Sequence, residues 1–230
     1  MKRYTLLLFI AIGMAAFYVL ENFIPGGRVI LYPFKLLVTM LHEFGHAMGA
    51  VVTGGDVDSI KINADGSGWC KTAGGSRGII LMGGYIGSAL FGNFLLYMGF
   101  VYQKSAKWVL YGLALVLIII STIWSADITN TAFVLAFLIG IMLINRTKYN
   151  YIFLMLLGVL SVAHIINDFN VGPTSDLSKF AEVWPFLSAT AWMYVWLVFA
   201  VGITGITVNR MLKTKPNTIS PVYSSNDLQN

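Results

Sequence analysis

Two histidines and a glutamate stand at a spacing that suits metal-dependent hydrolysis. The segment His42-Glu43-Phe44-Gly45-His46 places the two histidines four residues apart. On a helix, residues at i and i+4 lie on one face, so both imidazoles can reach one zinc ion. Glu43 is turned about 100° from His42, which leaves its carboxylate free to act as general base toward water that the metal activates. The pattern predicts a catalytic Zn²⁺ site.

A catalytic zinc site usually has three protein ligands, so one more must come from elsewhere in the chain. The candidates are His164, Asp168 and Asp176, at or just after the end of a later apolar run. If all seven apolar runs cross a membrane, the second and sixth point the same way and their C-terminal halves share one side. His46 can therefore meet Asp168, while the rise per residue along a helix keeps His164 as a rival. The residues alone leave the third ligand open.

The elements that carry these residues are apolar. Of the 230 residues, 57% are hydrophobic and 11% are charged, whereas a soluble domain has roughly 25% charged residues. The apolar residues form runs of about 17 to 25, the length that a helix needs to cross a bilayer. Because an ionisable group inside a span is costly, the histidines and glutamate there point to function. The chain is predicted to be an integral, multi-pass membrane protein.

Seven runs are candidate spans, and they cover residues 4–24, 31–53, 78–101, 107–124, 127–145, 149–169 and 185–208. The first is longer than the apolar core of a signal peptide, which favours an uncleaved span. The third is rich in glycine and suits either a crossing or a re-entrant segment. We expect an all-α polytopic protein with six or seven transmembrane helices. Residues 1–213 would form one membrane-embedded domain, and residues 214–230 a disordered polar tail.

The connection over residues 56–77 differs from the rest of the chain. Ile60 and Ile62 alternate with polar neighbours. Glycines flank the segment that follows, with Gly66 and Gly68 before it and Gly74 and Gly75 after it. This pattern predicts a small Gly-rich β-hairpin. Further along, Asp127 and Asn130 at the start of the fifth run fit ordinary interfacial and capping roles.

The distribution of charge indicates which partner the protein binds. The net charge is +5, but the basic residues cluster at the ends of apolar runs, where they anchor a protein in the bilayer. The lipid bilayer, and not nucleic acid, is the expected partner. The basic residues of the loops do not decide the orientation in the membrane. Cys70 is the single cysteine, which excludes an intrachain disulfide and a cluster of thiolate zinc ligands.

In several motifs the chain resembles the site-2 protease family of intramembrane zinc metallopeptidases, in particular its compact branch without a PDZ domain. The likeness runs from about residue 35 to residue 93 and resumes over residues 168–177. It is carried by His42-Glu43-Phe44-Gly45-His46-Ala47, Thr53-Gly54-Gly55, Asp65-Gly66-Ser67-Gly68, Gly74-Gly75 and Gly83-Gly84-Tyr85-Ile86-Gly87.

The resemblance implies His42 and His46 as zinc ligands, Glu43 as the base, and an aspartate from a later helix as the third ligand. Asp168 is the best match, although Phe169 follows it where many members have glycine. The implied activity is that of a zinc metalloendopeptidase that cuts membrane proteins or peptides within or near the bilayer, in a multi-pass protein of the plasma membrane. For the hairpin two roles remain open: an exposed strand edge that holds the extended substrate, or a solvated connector with no part in catalysis.

Two other functions are compatible with a helical membrane protein. A catalytically silent scaffold of the same fold would recruit partners, but it would not need the intact motif. A metal transporter would distribute histidines and carboxylates along a path through several helices. Here they are concentrated at one motif and one distant helix end, which favours the protease.

Overall fold

Helices account for most of the chain, and one small hairpin interrupts them. The structure is a computed structural model that describes residues 3–125, 127–167, 169 and 171–217. In chain order its elements are α1 (Arg3–Asn22), α2 (Gly27–Val52), β1 (Asp56–Ile62), β2 (Gly68–Ala73), α3 (Arg77–Val101), α4 (Ala106–Ile119), α5 (Ile128–Asn145), α6 (Asn150–Asn167), α7 (Asp176–Val183) and α8 (Ala189–Lys213). A single 3₁₀ turn precedes α4, and a π-helical turn, Ile120–Trp124, continues it.

Each predicted apolar run coincides with a helix, which confirms an all-α polytopic membrane protein. Five described helices are long and apolar enough to span a bilayer, and they cover Tyr4–Asn22, Arg77–Val101, Gln103–Trp124, Ile128–Asn145 and Ala189–Lys213. The apolar stretch of α6 is shorter, and α2 carries the histidines and glutamate among its apolar residues. The glycine-rich α3 is one continuous helix of 25 residues, as a crossing segment requires.

Glycines bring three helices into direct backbone contact. A Cβ on Gly45 of α2 would clash with the carbonyl oxygen of Gly83 in α3. On the next turn of α2, a Cβ on Gly49 would lie 2.9 Å from the carbonyl oxygen of Ile79. The opposite side of α3 meets α6, where a Cβ on Gly158 would lie 2.5 Å from the backbone nitrogen of Leu96. Small residues permit such close packing in lipid, so α3 lies between α2 and α6.

The predicted hairpin is confirmed. β1 and β2 pair antiparallel, with Ile60 opposite Cys70 and Ile62 opposite Gly68. Both isoleucines are buried, and the turn closes where the backbone nitrogen of Asn63 donates to the carbonyl oxygen of Ser67 over 2.8 Å.

Side chains of α2 bind the turn of the hairpin. Tyr32 donates its hydroxyl hydrogen to the carbonyl oxygen of Ala64. One turn further along α2, Lys35 donates to the carbonyl oxygen of Asp65 over 3.3 Å, and Thr39 donates to that of Gly66 over 3.0 Å. The turn therefore lies along the same helix that carries the His-Glu-His motif.

The C-terminal end of the last helix coincides with the end of the predicted membrane domain, since α8 ends at Lys213. Residues 218–230 lie outside the described residues, so the disordered tail stays a prediction.

Candidate metal and catalytic site

The two histidines of α2 face the same point. The Nε2 atoms of His42 and His46 lie 3.1 Å apart, as the i, i+4 spacing on one helix face predicts. Both side chains are largely buried in the bundle.

Asp176 reaches this point from the start of α7. Ser175 caps that helix by accepting a hydrogen bond from the backbone nitrogen of Ser178 over 3.2 Å, which fixes the next residue in the first helical turn. The Asp176 Oδ2 atom lies 3.2 Å from His42 Nε2 and 3.1 Å from His46 Nε2. Two nitrogens and one oxygen thus form a small triangle, and these three side chains can hold a metal ion.

The protonation of His46 shows that the donor set fits a cation. Its Nδ1 lies 2.7 Å from the carbonyl oxygen of Ile80, and a carbonyl only accepts, so Nδ1 carries the hydrogen. In the neutral ring Nε2 then presents a lone pair toward Asp176 Oδ2, which is also an acceptor. Two acceptors at 3.1 Å need a positive charge between them, which is either a proton on Nε2, as in the imidazolium, or a metal ion. A backbone carbonyl that orients a histidine in this way is a common partner of metal-binding imidazoles.

The carboxylate of Asp176 is ionised in this setting. Burial alone would raise its pKa, but hydrogen bonds to His42 and His46 and the positive charge at the histidines more than offset that effect. The pKa of Asp176 therefore lies below its ordinary value, as it does for a carboxylate that serves as a ligand.

Gly84 of α3 has no side chain, and the two imidazoles occupy the space that a side chain there would fill. A Cβ at this position would lie 2.5 Å from the Nε2 atoms of both His42 and His46. The next residue, Tyr85, meets the ring of His42 edge to face, with ring centroids 4.8 Å apart. Tyr85 is also stacked on Phe169, with ring centroids 4.8 Å apart. The glycine thus provides room for the ligands, and the aromatic pair packs beside them.

Glu43 lies beside the three candidate metal ligands and is not one of them. Its side chain is buried beneath the first residue of β2, where a Cβ on Gly68 would lie 2.9 Å from Glu43 Oε1. A carboxylate that is close to a metal site but outside its ligand set can accept a proton from water.

A cavity of about 860 Å³ connects these groups. Its walls come from α2, the hairpin, α3, α6 and α7, and it contains Glu43, the two histidines and Asp176. Cys70 of β2 also faces it. Burial, followed by the negative charge of Glu43, raises the pKa of the Cys70 thiol to about 12. The thiol is therefore protonated at neutral pH.

The candidates for the third ligand fall in three places. Asp176 joins the two histidines. His164 lies in the wall of the same cavity, and its ring meets Phe17 edge to face at 6.2 Å, so it packs outside the cluster. Asp168 lies outside the described residues, so its role as the third ligand stays a prediction.

Two positions beyond the motif gain importance from the structure. Gly84 belonged to a glycine-rich segment that did not indicate which glycine faces the ligands. Asn130 was expected to have an interfacial or capping role, but it is fully buried and binds β1. Asp127 does cap a helix, since its side chain accepts from the backbone nitrogen of Thr129.

One comparison with known proteins identifies the family of the chain. The family model of the Peptidase M50B-like proteins matches residues 9–207, which include every element from α2 to α7. The match confirms the resemblance to the site-2 protease family. Neither the curated proteins nor the solved structures gave a significant match.

Proposed function

Because the chain belongs to the Peptidase M50B-like family, we propose that it is a membrane-embedded zinc metalloendopeptidase. His42, His46 and Asp176 hold the metal, and Glu43 is the general base. The observation that carries this proposal is the triangle of two imidazole nitrogens and one carboxylate oxygen, with separations of 3.1 to 3.2 Å, next to a buried glutamate in one cavity. Two histidines and a carboxylate are a ligand set found in catalytic zinc sites.

The chemistry is hydrolysis of a peptide bond. When bound, zinc supplies a Lewis acid that makes water more acidic and polarises the substrate carbonyl. Glu43 takes a proton from the attacking water, whose oxygen forms a bond to the carbonyl carbon. The same carboxyl then gives that proton to the amide nitrogen as the carbon–nitrogen bond breaks. Ile80 keeps His46 in one tautomer throughout, since its carbonyl oxygen holds the Nδ1 hydrogen.

The substrate is a membrane protein or peptide in an extended conformation. The site lies on an apolar helix within the bundle, so peptides that partition into the bilayer are the ones that can reach it. β2 lines the cavity with Gly68, Cys70 and Thr72. A peptide that pairs with β2 would place its backbone along the cavity beside Glu43, because main-chain hydrogen bonds hold an added strand whatever its sequence.

The test compares wild-type protein with Glu43→Gln, using transmembrane peptides reconstituted with purified protein and metal analysis of the same samples. The variant is expected to keep its zinc and to lose cleavage by roughly 10²- to 10⁴-fold, the contribution of a general base. Glu21→Gln is the matched control, since Glu21 lies near the end of α1 and pairs with Arg28, remote from the site. It should cleave at the wild-type rate.

Full activity of Glu43→Gln would contradict the assigned base. A wild-type protein that binds zinc but cleaves no peptide of the set would favour a catalytically silent scaffold of the same fold.

A further inference from the structure

Asn130 makes an unusual set of contacts for an asparagine in an apolar helix. It lies in the first turn of α5 and is fully buried. Its Oδ1 accepts a hydrogen bond from the backbone nitrogen of Ile62 over 3.1 Å. Its Nδ2 donates to the carbonyl oxygen of Ile60 over 3.2 Å and to Ser125 Oγ over 2.6 Å. The side-chain amide thus joins α5 to β1.

These contacts reproduce the pairing of a neighbouring strand. Ile60 and Ile62 are two residues apart, so their backbone groups point to the same edge of β1. One residue of an added parallel strand would donate its N–H to the carbonyl of Ile60 and accept from the N–H of Ile62, as the amide of Asn130 does here. The opposite edge of β1 is paired with β2. Both edges of β1 are therefore engaged at its buried end.

We propose that Asn130 is a positioning residue that holds the hairpin over the metal site and closes the outer edge of β1, so that substrate adds only to β2. This inference rests on the proposed protease function. Asn130 touches neither the metal ligands nor the substrate and acts through β1.

The contacts of the rest of the hairpin also favour binding of the substrate at β2. α2 holds the turn through Tyr32, Lys35 and Thr39, and α5 holds β1 through Asn130. Within the part of the chain that the structure describes, no side chain forms a corresponding bond with the backbone of residues 68–73. β2 is therefore the strand whose outer edge is left for a peptide, and it is also the strand that lines the cavity.

The first experiment measures kinetics in Asn130→Leu, which keeps the volume and removes the amide. Two buried backbone groups of β1 lose their partner, so the hairpin shifts. KM should rise about tenfold, the effect of weakening roughly one hydrogen-bonded contact, while kcat and zinc content change little. Asn93→Leu is the matched control, because Asn93 is buried in α3 and its amide donates to Thr204 Oγ1 over 3.0 Å, away from the hairpin.

A general loss of folding would lower the yield and the thermal stability of both leucine variants without a selective rise in KM. An unchanged KM in Asn130→Leu, or an equal rise in Asn93→Leu, would overturn the inference.

The second experiment locates the bound peptide by disulfide trapping in a Glu43→Gln, Cys70→Ser background, where binding does not require cleavage. Single cysteines replace Lys71 of β2 or its register partner Ser59 of β1, and the substrate peptide carries one cysteine. A disulfide needs Cα atoms about 4.4 to 6.8 Å apart, whereas strands lie ~4.8 Å apart. A peptide added to β2 is therefore in reach of residue 71 and out of reach of residue 59.

Trapping at residue 71 alone is the expected result. Trapping at residue 59, or at neither position with a substrate that the wild type cleaves, would overturn the inference while leaving the protease proposal intact. Trapping at residue 71 in a protein whose wild type never cleaves would refute the protease function and leave the edge assignment standing.

Discussion

The carboxylate oxygen of Asp176 lies 3.1 Å from His46 Nε2, although 130 residues separate them in the chain. The contact depends on α3, which packs between α2 and α6 through glycines and so brings the segment after α6 back to α2. The candidate metal site is therefore a product of tertiary packing as much as of the His-Glu-His motif.

Gly84→Ala is expected to abolish metal binding. The new Cβ would lie 2.5 Å from the Nε2 atoms of both histidines, and α3 cannot move away from them because the backbone of α6 packs directly against its other side. Gly87→Ala is the control on the next turn of the same helix, where the Cβ meets only Gly45 Cα at 3.5 Å, an ordinary contact. Zinc content and thermal unfolding of both variants in detergent measure the effect. Full zinc occupancy in Gly84→Ala would contradict this account of the site.

Gly68→Ala should separate catalysis from metal binding. Its Cβ would lie 2.9 Å from Cγ and Oε1 of Glu43, so the base must move while the three ligands keep their positions. We expect zinc to be retained and kcat to fall by more than about tenfold, part of the contribution of a positioned base. Gly140→Ala in α5, where nothing lies within 4 Å, controls for the added methyl group. Loss of zinc in Gly68→Ala would argue against a separate base.

Lys61→Ala should have a small effect that depends on pH. The ammonium of Lys61 lies 3.1 Å from Asp127 Oδ2, but both side chains are partly exposed, so water screens the pair and its contribution to stability is small. The backbone of Thr129 first, and Lys61 second, hold the pKa of the Asp127 carboxyl below its ordinary value. A depressed carboxyl pKa stabilises the folded state above the unfolded pKa, and this contribution disappears as pH falls through the folded value.

Thermal unfolding of wild type and Lys61→Ala should therefore differ slightly at pH 7 and converge below about pH 4. A difference that persists in acid would mean that Lys61 stabilises the protein by another route. A rise in KM comparable to that of Asn130→Leu would assign the support of β1 to the ion pair.

Local geometry explains why part of the site could be predicted from the sequence. The spacing of His42 and His46 places them on one face as soon as the segment is helical. The position of Glu43 beside that face is predicted by the same helical turn. Hydropathy located the helices for a similar reason, since bilayer thickness sets their length. Ile60 and Ile62 likewise gave the hairpin, because alternation is the period of a strand.

Long-range packing explains the rest. The sequence left Asp176 as one of three candidates for the third ligand. The distance of a residue along the second or sixth helix can be estimated from the sequence, but Asp176 lies in the first turn of a separate short helix, α7, whose position depends on the folded chain. Asn130 looked like a capping residue, since only the folded chain shows that α5 begins against β1. No local pattern distinguishes Gly84 from Gly83, yet one contacts the histidines and the other contacts α2 backbone.

The most direct test of the central claim is zinc content of purified protein in detergent. Wild type should contain about one zinc per chain, the stoichiometry of a three-ligand catalytic site. His42→Ala and Asp176→Ala should lose it, whereas His164→Ala and Asp168→Ala should keep it. Zinc retained in Asp176→Ala and lost in Asp168→Ala would contradict the assignment of Asp176 and return the third ligand to the end of α6.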